Sequence, residues 1–132
     1  NANASTSMTC GDNQGCTLTI QDTGNGASPG LATSTPAYLI PSSNATLAAG
    51  TEGYGIRATT TPVGSGGALS IGSIYNKNGN DIGGLLIAAT TLASSTAAVT
   101  GREVVTTHLA AISATTQAGS YSDTITYSCV GN

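Results

Sequence analysis

The chain has no phenylalanine and no tryptophan, and apart from one histidine its only aromatic rings are five tyrosines. That leaves little aromatic surface for stacking on sugars or bases. Charge is almost as scarce: three cations, Arg57, Lys77 and Arg102, face six carboxylates, for a net charge of −3. Three scattered cations make no basic footprint for nucleic acid and no polybasic handle for an anionic membrane. No apolar run approaches the roughly 20 residues that span a bilayer, and the longest, Gly83 to Ala89, is strand-sized. The mature chain is therefore expected to bind no nucleic acid and to insert into no membrane. Amphipathic helices are missing too, since no window carries an i, i+3, i+4 apolar stripe against a charged face.

What remains is a chain of Thr, Ser, Ala, Gly, Val and Ile. Charged residues make up 7% of the 132, against roughly 25% in ordinary globular domains. Abundant β-branched residues argue against disorder, which goes with high charge and few such side chains. The strands implied by this composition lack the charged side chains that keep strand edges apart, which favours assembly over a free monomer.

Short alternating runs recur between turn residues. Cys16 to Asp22 places Cys16, Leu18 and Ile20 on one face, and Gly53 to Thr59 does the same with Tyr54, Ile56 and Ala58. Leu31 to Ile40 reads as a strand broken near Pro36. Ala68 to Tyr75 and Ile82 to Ala89, flanking Asn78-Gly79, read as a hairpin. Thr90 to Gly101 follows as a strand and turn, then Glu103 to Ile112 and Ser120 to Val130 as the last two strands, joined across Thr116 to Gly119. The expected fold is all-β, an Ig-like or jelly-roll sandwich of about eight to ten strands.

The opening ten residues alternate as well, with Ala2, Ala4, Thr6, Met8 and Cys10 on one face. Two arrangements fit. Residues 1–10 form an extension that a neighbouring copy's sandwich, residues 11–132, accepts as a donated strand through Ala2, Ala4, Thr6 and Met8; or the segment pairs within its own sheet.

No constellation for catalysis stands out. Asp12, Asp22 and Asp81 sit in or beside turns, where Asp bonds local backbone; Glu52 and Glu103 are isolated; Asp123 is expected at the sheet edge near Tyr121 or against an Arg. His108 lies alone in an apolar strand, and no GxSxG run accompanies it. The expectation is no enzyme, no catalytic residue and no cofactor. Asn76 to Asp81 reads as a turn rather than a calcium loop, and the cysteines lack zinc spacing, so no metal is expected. Three cysteines in a chain this poor in Lys and Glu fit an oxidising, extracellular setting. Antiparallel pairing of the second and last strands sets Cys16 opposite Cys129 as a disulfide; Cys10 with Cys129 is the competing pair, and three reduced thiols the third possibility. Asn3-Ala4-Ser5 and Asn44-Ala45-Thr46 match the N-glycosylation pattern. A sequence opening on Asn rather than Met is what removal of a signal peptide leaves, so secretion to the cell surface is expected.

The closing run Thr116-Gln117-Ala118-Gly119-Ser120-Tyr121-Ser122-Asp123-Thr124-Ile125-Thr126-Tyr127 resembles the final strand of secreted bacterial surface domains, among them WxL-type domains and fimbrial or pilin-like subunits. Gln117 stands where those runs usually have Pro. The resemblance implies a structural or adhesive surface role. Combined with the opening strand and the low charge, it gives the expectation of a structural subunit of an extracellular filament or pilus, its partners identical copies joined by N-terminal strand addition. The alternative is a monomeric adhesive module whose partner is a host or cell-surface glycan.

Overall fold

A computed structural model describes residues 1–132. It is all-β, as the patterning predicts, with twelve strands rather than eight to ten. Two antiparallel sheets carry the fold. The first has the order β1 (Ala2–Cys10), β11 (Val99–Ala111), β6 (Gly53–Thr60), with β7 (Ser65–Gly66) also on β11. The second runs β12 (Ile125–Gly131), β2 (Cys16–Asp22), β10 (Thr90–Ser94), β8 (Ser70–Ile71). Two small pairs, β3 (Gly30–Ser34) with β4 (Ala37–Pro41) and β5 (Ala45–Thr46) with β9 (Asp81–Ile82), complete the set.

The inward positions of the two sheets meet in one core. Met8 of β1, Leu18 and Ile20 of β2, Ile56 of β6, Leu92 of β10 and Val104 of β11 are all buried there. With no Phe or Trp available, the filling is aliphatic, and Tyr54 and Tyr75 supply the bulk. Each such side chain taken out of water contributes roughly 1.5–3 kcal/mol.

Several expectations need correction. Pro36 does interrupt its strand, but the two halves fold back on each other as β3 and β4, turning at Thr35-Pro36. The hairpin expected across Asn78-Gly79 does not form, because its arms find different partners. Ser70 and Ile71 pair with β10, whereas Gly83 exchanges both backbone hydrogen bonds with Ile56 of β6, at 2.7 and 3.0 Å. Glycine is also required by a second close neighbour: a Cβ on Gly83 would lie 2.3 Å from the Ile74 carbonyl oxygen. Strands β11 and β12 are likewise no hairpin, since they lie in opposite sheets and residues 112–124 cross between them.

The opening segment is also not an extension outside the sandwich. Strand β1 pairs with β11 of its own chain from Ala2↔His108 to Cys10↔Val99. Met8 is 2% exposed and packs in its own chain's core, Ala4 and Thr6 on the same face are half-buried, and Ala2 at the strand's start is exposed. The expected alternation is present, and of the two arrangements the chain adopts the second, pairing within its own sheet. The division at residue 10 disappears with it, because one core spans both segments.

The disulfide joins Cys10 to Cys16, a pair outside both expected alternatives. Strands β2 and β12 do run antiparallel, but the register is two residues from the expected one: Cys129 lies opposite Leu18, and Gly131 opposite Cys16. Tyr127 lies opposite Ile20 in this register. Cys10 ends β1 in one sheet and Cys16 begins β2 in the other, so the cystine clamps the five-residue crossing between sheets. Cys129 is free and exposed.

Candidate functional site

Strands β1 and β12 are the outer strands of the two sheets and lie beside each other across the sandwich. At the end where Ala2 and Ile125 stand, the sheets part around a cavity of about 620 Å³. Ala2 and Ala4 floor one side because they are small. Tyr54, His108, Tyr121, Asp123 and Tyr127 bring the chemistry.

The backbone explains their convergence. Tyr54 and His108 lie on neighbouring strands, two positions apart in register: Ala110 opposes Tyr54 and His108 opposes Ile56. Their rings stack at 20° with centroids 6.1 Å apart. The Tyr54 hydroxyl is 2.9 Å from His108 Nδ1 and 3.3 Å from Asp123 Oδ2. Donation to the carboxylate leaves the hydroxyl oxygen free to accept Nδ1–H from a neutral imidazole, which satisfies all three groups. Asp123 is held from its other side by the Gly24 N–H, which donates to Oδ1 at 3.2 Å.

Behind Asp123 lies Asp22, the last residue of β2 and wholly buried. Its Oδ2 accepts the Gly30 N–H at 3.0 Å, while Oδ1 has no donor facing it. Burial pushes the Asp22 carboxyl up to about 7, helped by a hydrogen bond to Asp123 and by its charge, against the opposing effect of the Gly24 and Gly30 amides. A proton on Asp22 donated to Asp123 resolves the orphaned oxygen. Burial also raises the Tyr54 hydroxyl, with the Asp123 and Asp22 charges adding to it. It lowers His108, although Asp123 pulls the other way.

Of the residues singled out in the sequence, the cavity gathers Ala2, Ala4, His108, Tyr121 and Asp123, while Thr6 and Met8 lie further along β1. Asp123 lies near Tyr121 beside the outer strand β12, as one of the two expected placements had it, and meets Tyr54 and Asp22 rather than an Arg. Asp12 makes the expected local turn, accepting the Gln14 N–H at 2.8 Å. Asp81 instead accepts the Thr46 hydroxyl. Glu52 is not isolated, since it accepts the Tyr38 hydroxyl at 2.7 Å, and Glu103 takes the Ser5 and Thr61 hydroxyls. Asn3 is exposed on the outer face of β1; Asn44 is exposed with its Oδ1 accepting the Gly84 N–H. The quartet Asp22, Tyr54, His108 and Asp123 was invisible in the sequence, where its members are dispersed over a hundred positions.

No family model matches the chain, and neither the curated proteins nor the solved structures yield a match. The likeness to WxL-type and fimbrial domains therefore stays on residues 116–127.

Proposed function

We propose that the chain is a structural subunit of an extracellular filament whose copies are joined by exchange of β1. The observation that carries this reading is the state of that strand: it is bonded on one side only, to β11, and no residue from Ala2 to Cys10 is charged or proline. An uncharged strand with a free edge is a ready partner for another chain. Swinging Ala2 to Met8 out of its place leaves a slot along β11 that the same residues of a neighbouring copy fill in the same register, so the exchanged contacts equal those lost. The ladder shifts register between Met8 and Cys10, and Cys10 is tied to Cys16. These features mark Thr9 as the pivot and keep the base of the arm on its own subunit. Repeated head to tail, such exchange propagates as a fibre. A disulfide fits an oxidising compartment.

The test is to lock the arm at home. Asn3 and Thr107 lie opposite each other on the outer face; Asn3→Cys with Thr107→Cys, in a Cys129→Ser background, closes a bridge between them. The oxidised double variant is expected to remain monomeric while each single variant assembles. Assembly of the bridged chain overturns the reading. The adhesive alternative is favoured by one observation, the three tyrosines lining the cavity, and binding of a glycan by the bridged monomer is the result that would establish it.

A further inference from the structure

The cavity between β1 and β12 holds a carboxylate that no side-chain cation of the chain meets, Asn1 being the one further residue of its lining that carries an amine. Asp123 lines it, and wholly buried Asp22 lies against Asp123 with Oδ1 unpartnered. Arg57 and Lys77 line a different depression beside Thr59 and Thr107. Arg102 is committed to the carbonyl oxygens of Gly66 and Gly67, at 3.0 and 3.2 Å. His108, kept neutral by burial, supplies no counter-charge. The remaining wall is apolar and aromatic: Leu31, Leu109 and Ile125, with the rings of Tyr54, Tyr121 and Tyr127.

We propose that this cavity is a binding site for an organic ammonium ion, a primary amine carried on an apolar or aromatic stem. The Asp123 carboxylate is the charge partner. Tyrosine rings attract a cation through their quadrupole, and the attraction strengthens where water is thinned out. The apolar wall takes the stem, and the volume lies within the range of small-molecule sites. An inorganic divalent ion is served poorly, since no three His, Cys, Asp or Glu side chains come together to hold it. An anion is repelled, and a neutral analogue gains burial without the ion pair. The site does not rest on the filament reading, because β1 supplies the same Ala2 and Ala4 whether it comes from its own chain or a neighbour's.

The discriminating pair of probes is 2-phenylethylamine and 2-phenylethanol, equal in shape and different in charge at pH 7.5. Titrated into the isotopically labelled protein and followed by amide NMR, the amine is expected to saturate with shifts clustered at Ala4, His108, Leu109 and Tyr127. The alcohol is expected to bind at least about 10-fold more weakly. Asp123→Asn is expected to abolish that difference, and Asp81→Asn, a remote carboxylate, to leave it intact. Equal binding of the two probes, a preference surviving in Asp123→Asn, or amine shifts spread over Asp12, Asp81 and Glu103 would each overturn the proposal. Should Asp123→Asn fail to fold, the comparison of amine with alcohol on the unaltered chain decides alone.

Discussion

Gly131, not Cys129, lies opposite Cys16 in the ladder between β12 and β2. That register carries the covalent structure of the molecule with it. Cys16 is left facing the end of β1, where Cys10 is its partner, and Cys129 is left on an outer strand without one.

Thiol chemistry reads this arrangement directly. Under native, non-reducing conditions a maleimide is expected to modify Cys129 and neither Cys10 nor Cys16, as peptide mass mapping would report. Modification of Cys10 or Cys16 in place of Cys129 contradicts the pairing.

Breaking the clamp with Cys10→Ser and Cys16→Ser together is expected to lower stability by about 2 kcal/mol, the loop-closure value for so short a loop. The β-sheet circular dichroism is expected to persist, because Cys16 is one side chain in a core that spans both sheets. Denaturant melts measure the loss.

Met8→Ala removes a side chain that is 2% exposed. A loss of about 2–4 kcal/mol is expected from the cavity left behind. On the opposite face of the same strand, Ser7→Ala is expected to change stability by less than about 0.5 kcal/mol. Urea unfolding of the two variants compares the faces of β1; equal effects would mean that the strand does not sit in its own sheet.

Two buried groups give pH dependences of opposite sign. Asp22 holds a proton up to about 7 when folded, against 3.8 for the free side chain. The folded chain therefore binds the extra proton, and the Asp22 contribution to stability is present at low pH and lost as pH rises from about 4 to about 7. His108 is lowered from 6.5 by burial. Its contribution is present above about 6.5 and lost as pH falls below that value through the folded pKa. The slopes oppose each other over the shared window, so variants are needed to separate them. Asp22→Asn is expected to raise the melting temperature at pH 8 and to leave a protein less stable at pH 5 than at pH 8. His108→Gln is expected to show the reverse slope. Thermal melts at the two pH values check both.

The parts of this fold written in the sequence are those governed by period-two patterning over several residues. Cys16, Leu18 and Ile20 face inward as their spacing requires, and so do Tyr54, Ile56 and Ala58. The face of β1 was legible for the same reason, but the chain that pairs with it was not, because alternation says which side is buried and nothing about whose sheet buries it. Strands of two residues, such as Ser70–Ile71 and Asp81–Ile82, are too short to carry a period. Their glycine-rich surroundings follow from contacts with β10 and β6, which no local pattern encodes. Register was equally hidden: Cys129 opposite Leu18 and Cys129 opposite Cys16 differ by two residues and keep every side chain on the same face. The cavity quartet depends on that register and on the crossing of residues 112–124 between sheets, so it emerged only with the complete topology.

The filament reading stands or falls on where each β1 lies in the assembled material. Copies carrying Asn3→Cys in one isotopic label and copies carrying Thr107→Cys in another, both with Cys129→Ser, can be co-assembled, oxidised and digested. Exchange predicts a disulfide between the peptides containing positions 3 and 107 that joins the light copy to the heavy one. Assembled material that yields no such mixed-label peptide, although the double variant readily closes the same bridge within one chain, would contradict it.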